Sequence, residues 1–212
     1  MKFNINDKKR IVALMIAIFI MGLTLSFLIR LNFGTDPCST MNLGISSGLG
    51  ISFGVWSVLF NSILFVFIII FDRSHIGWGT LANMILIGFI ADFFGWIWDK
   101  VLLDQIFESI LIRITILVPT LIVFIFAAAV YMAVELGTAP YDAIIFIISK
   151  KISFIPFRFL RIIWDILACL IGLLVGGKIG IITITLALLL GPVISWVKEK
   201  LLKNTFEFQA KY

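Results

Sequence analysis

Residues 31–37 read Leu-Asn-Phe-Gly-Thr-Asp-Pro, and residues 134–140 read Val-Glu-Leu-Gly-Thr-Ala-Pro. The two Gly-Thr-x-Pro elements lie 103 residues apart. In each, glycine lets the chain leave a helix through backbone conformations that other residues rarely adopt. Pro37 and Pro140 then suit the first turn of a new helix, where a missing N–H costs nothing. Asp36 or Thr35 is expected to cap the first new helix, and Thr138 the second. Each element is therefore a stop followed at once by a restart.

What flanks these elements is almost entirely apolar. Of 212 residues 61% are hydrophobic and 14% charged, with a mean hydropathy of +1.15. Soluble domains run about 45–50% apolar and about 25% charged. Soluble enzymes, nucleic-acid binders, secreted disulfide scaffolds and disordered chains are excluded by that contrast. Six runs, residues 11–31, 52–71, 77–98, 112–134, 157–175 and 179–197, have the length of a bilayer crossing, about 20 residues. The first is too long for a signal-peptide core and is expected to stay as a helix. The stretches 36–50 and 139–152, which carry the two Gly-Thr-x-Pro elements, are too short and too polar to cross. They are expected to form short helices, interfacial or re-entrant.

The net charge of +5 reports orientation. With the N-terminus inside, twelve Lys and Arg fall on that side, and Arg30, Lys100, Arg113 and Lys178 on the other; Arg161 lies within a run. Positive residues collect in cytoplasmic loops, so both termini are expected in the cytoplasm of a cell with this protein in its plasma membrane.

The similarity extends beyond the turns. Gly77 and Thr80 match Gly180 and Thr183 at the same offset, Gly88 matches Gly191, and Phe60-Asn61 matches Trp164-Asp165 one residue further on. Each half reads span, Gly-Thr-x-Pro, short helix, span, span. Because three crossings is an odd number, the second half enters the bilayer from the opposite face. Inverted repeats of this kind characterise many secondary transporters. The expected architecture is an all-α polytopic membrane protein of six transmembrane helices in two inverted three-helix repeats. Residues 1–104 form the first repeat, 105–198 the second and 199–212 a cytoplasmic tail.

Gly34-Thr35-Asp36-Pro37 with its Gly/Ser-rich continuation, the matching Leu136-Gly-Thr-Ala-Pro-Tyr-Asp142, and Gly191-Pro192 of the last span resemble the YitT/YczE group of bacterial integral membrane proteins. The likeness covers residues 11–197. It implies a multi-pass plasma-membrane protein and brings no catalytic residue set with it.

Candidate binding residues follow from the cost of polar groups in a bilayer. A carboxylate at the bilayer centre costs about 2.5–3.5 kcal/mol on insertion scales, so Asp165 and its counterpart Asn61 are site candidates. Arg158, Arg161 and Asp165 share one helical face, and the last two stand four apart, close enough to pair. That pairing also has a purely architectural reading, as a lock between spans. The new helix starts add Thr35, Asp36, Thr138, Tyr141 and Asp142, because a helix N-terminus carries unpaired N–H groups and partial positive charge. Asp92 in the third span completes the set. The second helix start, which lacks a carboxylate at Ala139, is the better anion site of the two.

Catalytic motifs are weak by comparison. Gly44-Ile-Ser-Ser-Gly48 matches G-x-S-x-G, but a serine nucleophile needs a base within reach. The one histidine, His75, is expected on the opposite face from Ser46. Cys38 and Cys169 make no metal or disulfide framework. No enzyme activity, metal or cofactor is expected. The leading expectation is a transporter or channel-like permease for a small anionic or zwitterionic solute, bound at the repeat interface. Its alternative is a membrane scaffold that assembles with a partner membrane protein or with further copies of itself.

Overall fold

The computed structural model describes residues 5–102, 107–152, 154–197 and 200. Eight α-helices follow one another among these residues: α1 (Ile5–Leu31), α2 (Pro37–Leu49), α3 (Phe53–Phe71), α4 (Trp78–Val101), α5 (Ile110–Ala133), α6 (Pro140–Lys151), α7 (Phe157–Leu174) and α8 (Ile181–Val197). No strand occurs among the described residues. The expected repeat boundary at residues 104 and 105 and the tail at 199–212 fall outside them, Lys200 excepted.

The helices begin and end where the punctuation places them. Pro37 and Pro140 each open a helix. Asp36 caps α2, its carboxylate accepting from the Ser39 N–H at 3.0 Å, and Ser52 caps α3 through the Val55 N–H. Gly50 ends α2 in the left-handed region at φ 66°. Ala139, rather than Thr138, is the N-cap of α6, and no side chain caps that helix.

Four helices, α1 (from Lys8), α3, α4 and α5, are long and apolar enough to cross a membrane. The other two apolar runs fall short for identifiable reasons. α7 spans 18 residues and carries Arg158, Arg161 and Asp165, and α8 spans 17. The outer surface is apolar, with Ile70 67% exposed, Leu111 71% and Leu174 86%. Side chains of this kind are stable in contact with lipid, and an aqueous surface seldom exposes them so densely.

α1 and α5 pack along each other at the centre of the bundle and run antiparallel. Arg10, near the start of α1, donates Nε to the Val134 carbonyl at the end of α5 at 2.8 Å, and Nη2 reaches the same oxygen. Arg113, near the start of α5, makes the same pair of bonds to the Leu31 carbonyl at the end of α1, with Nε at 2.9 Å. A helix C-terminus offers unpaired carbonyls and partial negative charge, so each guanidinium satisfies both. Arg10 and Arg113 are 103 positions apart, as are Leu31 and Val134.

The backbone repeats at the same interval. Asn32 and Glu135 sit in the left-handed region at φ 58° and 51°, and Gly34 and Gly137 follow at φ 93° and 120°. Each turn then closes onto the other half. Ile182 N–H donates to Phe33 O at 3.2 Å, and Gly79 N–H donates to Leu136 O at 2.7 Å. The first Gly-Thr turn therefore lies on the start of α8, and the second on the start of α4. Thr35 and Thr40 hydroxyls lie 3.0 Å apart, with Thr183 Oγ1 at 3.4 Å from Thr40. On the other side Thr138 N–H and Thr80 Oγ1 both donate to the His75 carbonyl at 3.0 Å. The short helices cross over as well, α2 packing on α7 and α6 on α3. Met41, Leu64, Tyr141 and Ala168 bring one residue from each of those four helices into a single buried cluster.

Candidate functional site

Where the starts of α2 and α6 approach, the helices leave a cavity of about 140 Å³. Its polar wall includes Asp36, Ser39 and Asn42 from α2 and its cap, Tyr141 and Asp142 from α6, and Arg161 and Asp165 from α7. Ser57, Asn83 and Tyr131 add polar groups from α3, α4 and α5. Leu25, Phe53, Ile87, Phe124 and Leu186 supply much of the apolar remainder.

The charged residues form one connected group. Arg161 donates through Nη1 to Asp142 Oδ1 at 2.5 Å and through Nε to Asp165 Oδ2 at 3.1 Å. Tyr141 donates its hydroxyl to Asp165 Oδ1 at 2.8 Å. Asp165 is 2% exposed, and both its oxygens are engaged. The i, i+4 spacing on α7 makes one of these bonds, and the packing of α6 against α7 supplies the other two. Asp36 stands apart from that cluster, its carboxylate accepting from Ser39 and pairing with no cation among the described residues. Among the described residues the cavity wall thus carries three carboxylates and one guanidinium.

Five of the ten candidates read from the sequence line this cavity: Asp36, Tyr141, Asp142, Arg161 and Asp165. Asn61 lies behind it, 7% exposed, donating Nδ2 to the Ser57 carbonyl at 2.8 Å. Thr35 and Thr138 sit in the seams between the turns and the opposite half. Asp92 accepts from the Gly54 N–H at 2.8 Å and so completes the first turn of α3. Arg158 is exposed on α7, away from the cavity wall. Cys38, Asn42, Asn83 and Tyr131 line the cavity and were not among the candidates. Asn42 carried one usable signal, a carboxamide inside a short apolar helix, and it is 2% exposed with its Oδ1 accepting from Trp56 Nε1 at 3.0 Å. No cluster of three His, Cys, Asp or Glu able to hold a metal ion occurs among the described residues.

A second polar group lies at one end of the bundle, in the loop between α3 and α4. Lys150 Nζ reaches Asp72 Oδ2 at 2.6 Å, which holds that carboxyl below the usual carboxylate range. His75 stacks on Phe146, with ring centroids 5.6 Å apart, and its buried Nε2 makes no hydrogen bond. Burial, and then the Lys150 charge, lower the His75 pKa from its usual value, while Asp72, 3.7 Å away, opposes them. A lowered histidine pKa means that the unfolded chain takes up the proton more readily. Stability is then complete above about pH 6.5, the unfolded value, and declines as pH falls below it. The midpoint of thermal unfolding in detergent should drop between pH 7 and pH 5.5, and His75→Gln should flatten that slope. An equal slope in the variant would show that another group is responsible.

These contacts join distant parts of one chain, and the comparisons with known proteins cover the same extent. The sequence profile of a family of unknown function (DUF6198) matches residues 8–199. The chain belongs to that family. An uncharacterized protein of Haemophilus influenzae is similar to this DUF6198 chain, 26% identical over 188 residues that make up 89% of this chain and 83% of the relative. The uncharacterized membrane protein YczE of Bacillus subtilis is 26% identical over 161 residues, 76% of this chain and 72% of its own. The uncharacterized protein YyaS of the same organism is 27% identical over 174 residues, 80% and 82% of the two chains. No solved structure matches. Relatives and helices agree on a YczE-type, multi-helix membrane protein of the DUF6198 family.

Proposed function

We propose that this DUF6198 protein moves a small polar solute across the plasma membrane by alternating access, binding it in the cavity between two inverted repeats. The repeats are residues 1–104 and 105–198, with both termini in the cytoplasm, and the protein performs no catalysis. One observation carries the reading: a cavity with a charged flank inside an apolar bundle, lined by the helix starts of both Gly-Thr-x-Pro elements. Transporters with inverted repeats bind substrate near the midplane at the repeat interface, beside the ends of broken helices. A scaffold that only holds partners together has no use for such a space.

In this reading α7 and α8 also cross the bilayer, giving six crossings. At 1.5 Å per residue they measure about 27 and 26 Å, against a hydrocarbon core of about 30 Å. Two of the three charges that separate α7 from an ordinary span, Arg161 and Asp165, are turned into the protein, where Asp142 and Tyr141 receive them, and Arg158 is exposed in the first turn. The short helices α2 and α6 are re-entrant. The antiparallel pairing of α1 with α5, each tied by an arginine to the other's end, is the contact expected between equivalent helices of inverted repeats. The test is solvent access to Cys38, which lines the cavity, from each side of the membrane in turn.

A further inference from the structure

From the charges on its wall, we propose that the cavity binds a small protonated amine, with Asp36 as its counter-ion. This rests on the transport reading above and names the chemical class that the cavity accepts.

The first argument is which charges are already occupied. Arg161 is held by two carboxylates, Asp142 and Asp165, and its guanidinium carbon lies 5.5 Å from the centre of the Tyr141 ring. An anionic solute would have to displace one of those carboxylates and would meet the remaining negative charge of the wall. A cation has nothing to displace. Asp36 is the carboxylate left over, since no cation pairs with it among the described residues and its hydrogen-bond partner is Ser39. The two helix starts alone would favour an anion, but the side chains reverse that sign.

The second argument is that the charge of Asp36 exceeds what its role as the α2 cap requires. The equivalent position in the other half is Ala139, which opens α6 after the same Gly-Thr turn and before the same proline, with no side-chain cap. Capping α2 needs an acceptor and not a charge, so a carboxylate at this place in an apolar bundle marks a site by default.

The third argument is the space itself. A cavity of about 140 Å³ is close in size to an engineered cavity of about 150 Å³ that binds benzene. Phe53, Phe124, Leu25 and Ile87 suit the carbon skeleton of such a solute, and Tyr131 and Tyr141 lie on the same wall. A bare metal cation, which needs several oxygen ligands, finds a wall that is largely hydrocarbon.

The experiment compares matched probes on purified protein in detergent at pH 7.5, where the amines are protonated. Ethylammonium, n-butylammonium and cyclohexylammonium are set against acetate, butyrate and cyclohexanecarboxylate, and against glycine and γ-aminobutyrate, by thermal shift and calorimetry. The expected result is saturable stabilisation by the ammonium series alone. Asp36→Asn, which keeps an N-cap acceptor, should weaken it at least tenfold, and Asp36→Ala, which copies Ala139, should do the same. Asp92→Asn, outside the cavity, should leave it within twofold. Binding of the carboxylates, binding of the zwitterions alone, equal affinity in the Asp36 variants, or no binding by any probe would overturn the inference. Access to Cys38 separates this proposal from the transport reading. Asp36-dependent amine binding with Cys38 open to one face only would sink alternating access and leave the amine site standing.

Discussion

Gly180→Ala is expected to destabilise the protein by about 3 kcal/mol or more, the upper end of the usual cost of overpacking. A Cβ at Gly180 would lie 1.9 Å from the Phe33 carbonyl oxygen and 2.3 Å from its carbon. Both are backbone atoms, so no rotamer change relieves the clash, and the Ile182 N–H bond to the same carbonyl ties the two segments together. Gly77→Ala should behave alike, since its Cβ would meet the Leu136 carbonyl oxygen at 2.1 Å. These positions are 103 residues apart, and similar losses at both would reflect the reciprocal docking of each turn on the opposite half. Gly95→Ala is the control. Nothing lies within 4 Å of a Cβ there, and alanine is the better helix former by about 0.5–1 kcal/mol. Thermal unfolding in detergent and the amount of protein accumulating in membranes report all three. A Gly180→Ala protein as stable as the Gly95→Ala protein would refute the close approach.

Arg161→Met is expected to cost about 3–5 kcal/mol, the range for removing one partner from a buried ion pair. Asp165 is 2% exposed and Asp142 faces the same guanidinium, so the variant leaves two neighbouring carboxylates without their cation. Tyr141 still donates to Asp165, but a neutral hydroxyl does not offset a second negative charge. Combining Arg161→Met with Asp142→Asn and Asp165→Asn should recover part of the loss, because neutral amides need no counter-ion. Thermal unfolding of the single and triple variants measures both steps. A single variant within 0.5 kcal/mol of the parent would mean that the cluster is solvated and carries no such load.

Much of the helical layout was legible in the sequence because helix length and punctuation are local properties. Residues 36–50 and 139–152 frame α2 and α6 to within one residue, since Pro37, Pro140 and Gly50 act within one turn. The interval of 103 was legible for the same reason. The number of crossing helices was less legible: Arg158, Arg161 and Asp165 set α7 apart by composition, and the described length of α8 is 17 residues. The cavity wall was the least legible part. Asp165 stood out because a carboxylate within an apolar run is conspicuous. Thr35 and Thr138 looked equally suited to a ligand, yet Thr35 pairs with Thr40, which reaches Thr183 in the other half, and the Thr138 N–H donates to His75, and periodicity carries no information about such contacts. Tyr131 and Asn83 failed to stand out for the converse reason. Each is one polar residue in a long apolar helix, and only the packing of α1 against α4 and α5 turns it toward the cavity.

Under the proposed transport function, the reciprocal seams define a motion. Each half holds the other by a Gly-Thr turn, a helix start and one arginine, at opposite ends of the bundle. Rocking one repeat against the other about the α1–α5 contact would open the cavity at one end while the seam at the other end stays closed. That is the geometry alternating access requires.

Cys38 is a native reporter of that motion. In a Cys169→Ser background, a membrane-impermeant methanethiosulfonate reagent is applied to right-side-out and to inside-out vesicles, and modification of Cys38 is followed by mass shift. The account predicts modification from both faces, with n-butylammonium slowing it from both by filling the same cavity. A Cys38 that stays unmodified from both faces, or reacts from one face only under every condition, would contradict transport through this cavity.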